Sequence, residues 1–282
     1  MTSYDPRTTP ARPDLAASHL AGKVEAARFA DGHVREIAEP QAPVRRSPSP
    51  DAELSTEALK GERITIYDSN DEGWSWGQLA ADGYVGYVPM SSLRDPGKSP
   101  THRVAVPRTL VFPGPSIKLP PLEGLSLGCK LAITRIDGSL AVTDTNGFIP
   151  AGHLKPLDSS EPDFVAVAET FIGVPYLWGG KTSLGIDCSG LVQVALMTSG
   201  TACPRDSDMQ ERALGAAVPL TELQRGDLVF WKDHVAIAHD ATTFLHANAF
   251  HMAVALEPVR EAIARIAATG NEVTSVRRIS NR

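Results

Sequence analysis

The chain has 282 residues, 27 of them Lys or Arg and 33 Asp or Glu, for a formal net charge of −6. This balance argues against a nucleic-acid binder, which presents a basic face, and no apolar run reaches the roughly 18 residues needed to cross a bilayer. Length and a 42% apolar content suit two or three ordinary globular domains.

The opening Met-Thr-Ser-Tyr-Asp-Pro-Arg has no basic stretch ahead of an apolar one, so no signal peptide is expected and the cytoplasm is the expected location. Residues 1–37 are polar and read as a helical or extended segment, with Asp14 capping a short helix through His19. The Pro-rich stretch from Pro40 to Pro50 reads equally well as a linker or as an extended lead-in to the next domain.

Residues 38–96 carry the pattern of a small β-barrel. Arg63-Ile-Thr-Ile-Tyr67 alternates polar and apolar, Trp74–Leu79 and Tyr84–Val88 supply two more strands, and Ser69–Gly73 and Asp82-Gly83 are turn sequences. Residues 97–157 read as a second copy, with strands at Thr101–Val106, Lys130–Thr134 and Ser139–Thr143 and a hairpin turn at Asp137-Gly138. Its ending, Gly147-Phe-Ile-Pro-Ala-Gly-His-Leu154, echoes Gly86-Tyr-Val-Pro-Met-Ser-Ser-Leu93.

The pattern changes over 158–282. Ser160-Glu-Pro-Asp163 reads as a capping box before a helix at Phe164–Ile172, which Gly173 stops. Cys188 stands before an apolar, helix-compatible run, Leu191–Met197, and Asp206 or Ser207 caps a further short helix from Asp208 to Leu214. Strands follow at Asp227–Trp231, His234–Ala238 and Thr243–Ala247, then a helix from Pro258 to about Ala268 and a last strand at Glu272–Ile279. Helices first and antiparallel strands later make this part α+β.

The chemistry gathers at Cys188. Three cysteines, Cys129, Cys188 and Cys203, with no Cys-x-x-Cys spacing, fit a reducing compartment better than a disulfide scaffold. A thiol in the first turn of a helix meets unpaired N–H groups and the positive end of the dipole, which favour thiolate. A lone cysteine before an apolar helix is also commonly a small buried filler. Asp187, Ser189 and the glycines Gly179, Gly180 and Gly185 weigh toward a nucleophile, because they let backbone approach a ligand. His234 is a base or a solvated strand end. His246, on the adjacent strand, either orients it or is a satisfied, half-buried histidine. A zinc site on Cys188, His234 and His246 is a rival use of the same residues, and His239 and His251 have no assigned role.

In chain order, Val174-Pro-Tyr-Leu-Trp-Gly-Gly180, Gly185-Ile-Asp-Cys-Ser-Gly-Leu-Val192, Pro204-Arg-Asp-Ser207, Gln210, Arg225–Trp231, His234-Val-Ala-Ile237 and His246-Ala-Asn-Ala249 resemble the NlpC-type bacterial cell-wall cysteine peptidases. The upstream repeat resembles the paired bacterial SH3-like modules of one branch, the γ-D-glutamyl-L-diamino acid endopeptidases. The resemblance implies a papain-like α+β peptidase domain, a helix carrying the cysteine packed on an antiparallel sheet, behind two SH3-like barrels. It makes Cys188 the nucleophile, His234 the base and His246 its orienting group. Asp187, Ser189, Tyr176, Trp178 and Ser207 become substrate-binding positions, with Asp187 near the substrate's ammonium and Glu62 and Tyr84 closing the pocket from the first module.

The implied substrate is a murein peptide with a free N-terminal L-Ala, cut between γ-D-Glu and diaminopimelate or lysine in peptide recycling. No cofactor, metal, nucleic acid or membrane partner is implied. A same-fold amidase or acyltransferase, and a catalytically idle binder of wall fragments, stay open as alternatives.

Overall fold

The computed structural model describes residues 4–279. The first three residues of the expected 1–37 segment and the last three of 158–282 lie outside the described residues. The chain folds as two units, with the boundary between Leu157 and Asp158.

Alternation in the first unit places one residue set inward. Strands Gln41–Arg45, Leu54–Leu59, Arg63–Ser69, Trp74–Leu79 and Val85–Pro89 join His33–Ile37 and Leu93–Arg94 in one seven-stranded sheet. Ile37, Ala42, Val44, Ala58, Ile64, Ile66, Leu79, Tyr84 and Val88 form its buried cluster. Tyr84 precedes the strand expected to begin with it and packs in this core. The stretch after Pro40 is therefore a sheet strand and not a linker.

The expected helix from Asp14 is replaced by a strand, Leu15–Ala17, paired in parallel with Arg28–Ala30, and a 3-10 turn at Ser18–Leu20. Asp14 is ion-paired with Arg12 at 2.8 Å instead of capping, and so short a helix has a costly nucleus with few hydrogen bonds to offset it. Residues 98–157 are distributed over three small sheets, joined by a core of Val104, Val111, Leu125, Cys129, Leu131, Ala141 and Ile149.

The second unit contains four helices among its described residues: α1 (Phe164–Glu169), α2 (Cys188–Thr198), α3 (Ser207–Ala213) and α4 (Val259–Ala267). The expected capping box at Ser160 is not what starts α1. Asp163 is the N-cap, accepting from the N–H groups of Val165 at 2.9 Å and Ala166 at 3.2 Å, because its short carboxylate reaches the first turn directly.

A six-stranded sheet runs in the order Ala216–Ala217, Ser275–Arg278, Asp227–Trp231, His234–Ala238, Thr243–Asn248, Ala253–Pro258. The Lys232-Asp233 hairpin closes with Asp233 at φ 62°, a left-handed value that Asp tolerates. Trp231 pairs with His234 and His246 with Ala255, so the strands carry both histidines at one end of the sheet. Helix α4 covers the face holding Trp231, Ala236, Ala238 and Phe244. Helix α2 lies near the His234–Ala238 and Thr243–Asn248 strands. The Ala253–Pro258 strand has no counterpart among the expected elements.

Candidate active site

Helix α2 starts with N–H groups that lack intrahelical partners. Asp187, its N-cap, answers with one carboxylate that ties three segments together. Oδ1 accepts from the N–H of Gly190 at 2.7 Å, and Oδ2 accepts from the N–H of Gly179 at 2.8 Å. The guanidinium of Arg205, 1% exposed, donates to both oxygens at 2.9 and 2.7 Å and to Ser189 Oγ at 2.8 Å. Such a fork-to-carboxylate pair fixes geometry as well as charge. The negative charge that the sequence assigns to a substrate ammonium is thus already matched inside the protein, and Asp187 positions the start of α2. The segments meet so closely that a Cβ on Gly190 would overlap the Gly180 carbonyl oxygen.

Cys188 is the first residue of α2 and is 7% exposed. The backbone N–H groups of Val235 and Ser189 lie close enough to the sulphur to favour its thiolate form. Val235 follows His234 in the strand that helix α2 packs near. Burial first, and Asp187 second, push the thiol up to about 12, against the pull of the Val235 N–H, Arg205 and the Ser189 N–H. The thiolate expected from the helix terminus alone is overruled by desolvation, and Cys188 rests as a thiol.

From the head of the neighbouring strand runs a line of rings. His234 Nε2 and His246 Nδ1 are 2.9 Å apart, and His246 Nε2 lies 3.0 Å from Glu257 Oε2. Arg265 from α4 donates to Glu257 at 2.9 and 2.7 Å. Burial, then the neighbouring His246, lowers His234 to about 3, so the ring is neutral. Burial also lowers His246, opposed by Glu257. Burial works to raise Glu257, yet hydrogen bonds from His246 and Arg265 outweigh it and hold the carboxyl at about 2.

Tyr176 is half-buried; burial raises its phenol, with further contributions from Cys188 and Asp187, which places the ring in electrostatic reach of the thiol. Trp178 is 55% exposed, Ser189 is buried against Arg205, and Ser207 is buried as the first residue of α3. Glu62 and Tyr84 belong to the first unit. Both are buried, and Glu62 accepts from the Leu59 N–H at 2.8 Å across the turn after Leu59. Among the described residues no cluster of three or more His, Cys, Asp or Glu is arranged to hold a metal ion. His239 pairs with Glu169 at 2.9 Å and with Asp240 at 3.2 Å, while His251 bonds to Asn248 Oδ1.

Sequence reasoning missed Arg205, Glu257 and Arg265. The available signal for Glu257 was a lone acid alternating with Ala253 and Ala255 in an otherwise apolar segment beside His246. Arg205 stood inside a recognised motif, but its partner lies 18 residues away.

A buried thiol at a helix start, against a hairpin whose neutral histidine leads into a second histidine and a carboxylate, is the arrangement of a thiol-dependent acyl-transfer site. Residues 173–271 match the NlpC/P60 family, and residues 44–93 match the bacterial dipeptidyl-peptidase Sh3 domain. The NlpC/P60 match lies within the second unit, whose mixture of helices and sheet is papain-like, and the Sh3 match lies in the first unit.

The chain is 29% identical over 214 residues to a gamma-D-glutamyl-L-lysine dipeptidyl-peptidase of Bacillus cereus, covering 66% of this chain and 61% of that protein. It is 39% identical over 84 residues to dipeptidyl-peptidase 6 of Lysinibacillus sphaericus, covering 30% of this chain and 31% of the relative. These matches span less than two thirds of the relatives' own length. An NlpC/P60 family protein of Bacillus cereus, known from its crystal structure, superimposes with a TM-score of 0.75 at 20% identity over 87% of this chain and 99% of that one, a likeness of fold.

Proposed function

We propose that the protein is a cysteine endopeptidase that hydrolyses the bond between γ-D-Glu and a diamino acid in murein peptides with a free N-terminal L-Ala. The observation that carries this reading is that helix α2, which begins with Cys188, packs near the strand that begins with His234, whose ring is 2.9 Å from His246. The names of the relatives support the bond and, at the third position, lysine.

In this reading the substrate's γ-carbonyl settles over Cys188. As sulphur attacks the carbonyl carbon, the thiol proton passes to His234 Nδ1. The neutral ring accepts it because the thiol proton, held at about 12 at rest, becomes far more acidic as the S–C bond forms. The N–H of Cys188, at the first helical position, donates to the developing oxyanion. The tetrahedral intermediate then collapses: the C–N bond breaks, His234 gives its proton to the departing amine, and a thioester remains. Water, losing a proton to the same ring, attacks that thioester. Its collapse expels the thiolate, which recovers the proton, and L-Ala-D-Glu leaves.

A free L-Ala amine arises only after the peptide has been cut from the glycan. The reading therefore extends to recycling of released peptides, with the cytoplasm as the place; cell fractionation tests that part.

The decisive assay incubates the protein with L-Ala-γ-D-Glu-L-Lys, its diaminopimelate analogue and their N-acetylated forms, and follows products by mass spectrometry. Release of L-Ala-D-Glu from the free amines, abolished by Cys188→Ala, is expected. Release of ammonia or acyl transfer to an added amine would instead mark an amidase or acyltransferase. No product, with Cys188 still alkylatable, would mark an idle binder. Glu62→Gln tests the expected ammonium role of Glu62: it should slow the free-amine peptide far more than the N-acetylated one, and an equal effect removes Glu62 from that role.

A further inference from the structure

The relay beyond His246 ends in two groups that touch no reacting atom. Glu257 accepts from His246 and is gripped by Arg265, whose guanidinium also stacks 4.5 Å over the ring of Phe250. Glu257 is 5% exposed, so its charge is held in a dry site by two partners.

From these contacts we infer that the Glu257–Arg265 pair is a positioning device that sets the proton direction along both histidines. The direction is fixed from the far end inward. An ionised carboxylate can only accept, so the proton between Glu257 and His246 sits on His246 Nε2. A neutral His246 then has its lone pair on Nδ1, which must accept from the Nε2–H of His234 across the 2.9 Å contact. That leaves the lone pair of His234 on Nδ1, the nitrogen the acyl-transfer step requires. A neutral group at Glu257 able to donate, or no group at all, frees His246 to turn its proton inward, and His234 would then hold the wrong tautomer.

Arg265 has the complementary task. It keeps Glu257 ionised and in place, and offsets part of its charge, so that the pair steers protons without trapping one on His246. The groups facing the two rings are Glu257 from the Ala253–Pro258 strand, Arg265 from α4 and His251 from the loop before that strand. Glu257 favours protonation of both rings, Arg265 disfavours it in both, and His251 disfavours it in His246.

This inference rests on Cys188 and His234 being the reacting groups, and its first test is independent of any substrate. Long-range ¹H–¹⁵N NMR of the full, unmodified chain reads the tautomer of each ring directly. Nε2–H on both His234 and His246 is expected; Nδ1–H on either overturns the proposal even if the protein cleaves murein peptides.

The second test uses Glu257→Gln, Arg265→Met and Arg265→Lys. Glu257→Gln should lower kcat by about 10- to 100-fold with KM nearly unchanged, as loss of an orienting carboxylate behind a histidine does elsewhere. It should also move the acid limb of kcat/KM, and the NMR titration of the rings, to lower pH, by roughly one pH unit. Arg265→Met should move both to higher pH, and Arg265→Lys should restore the wild-type position. Opposite movements cannot come from simple loss of folded protein. Movement in one common direction, or none, overturns the proposal. A wild type without peptidase activity but with the expected tautomers would refute the substrate reading and leave the relay standing.

Discussion

At Asp187 one side chain closes a helix, anchors the Gly179 turn and matches a buried arginine, and the consequence is an all-or-none dependence. Removing one partner strands the other charge where water cannot reach it, a loss of about 3–5 kcal/mol for buried pairs of this kind. Asp187→Asn is therefore expected to lower the stability of the second unit to urea by that amount, whereas Ser189→Ala, which removes one neutral hydroxyl, should cost about 1 kcal/mol.

Cys188 obeys a similar logic of burial. Because desolvation outweighs the helix terminus, its alkylation by iodoacetamide should rise steadily with pH through pH 9. A plateau below pH 7 would mean a resting thiolate and would refute the assignment of a neutral thiol. Local spacing announces a cysteine at a helix start and histidines on neighbouring strands. It cannot announce the depth at which the thiol sits, or that Arg205 arrives from 18 residues away to occupy Asp187.

Among the elements, α2 and the histidine hairpin were legible because their signals are local. An apolar run follows Asp-Cys-Ser-Gly, and two alternating segments flank Lys232-Asp233. The Ala253–Pro258 strand was not, because Phe250-His-Met252 before it obscures the alternation, and its pairing with Thr243–Asn248 alone makes it a strand. Glu257 became visible only with that register. The Asp14 helix failed for the opposite reason: a good local cap was outweighed by an ion pair to Arg12 and by burial of Leu15, Ala16 and Ala17.

Close packing at the head of α2 also limits what the helix can carry. Gly190→Ala places a methyl against backbone that cannot move without opening the Asp187 cap. It should destabilise by about 1–3 kcal/mol and reduce turnover, measured by thermal melting and peptide release.

Across the whole molecule, ionisation gives the second unit a pH window. His234 is held near 3, below its unfolded value of about 6.5. Its stabilising neutral state is thus fully present above about pH 6.5 and is lost as pH falls toward 3. Glu257 adds to this loss between its unfolded value, about 4.3, and its folded value of about 2. Cys188 acts at the other end: its folded value of about 12 exceeds an unfolded value of about 8.5, so stability declines as pH rises through that interval. Urea midpoints should be flat between about pH 6.5 and 8.5 and fall on both sides. His234→Ala should flatten the acid side, and Cys188→Ala the alkaline side.

One structural echo in the first unit concerns how its strands end. After Pro89 and again after Pro150, a three-residue 3-10 turn ends in a leucine whose N–H bonds back to the turn's first carbonyl. The two leucines have φ, ψ of −109°, 143° and −115°, 147°. Two corners with one geometry and different side chains, Met90-Ser-Ser92 and Ala151-Gly-His153, are spare parts for each other. Exchanging one tripeptide for the other should therefore leave both strand endings intact.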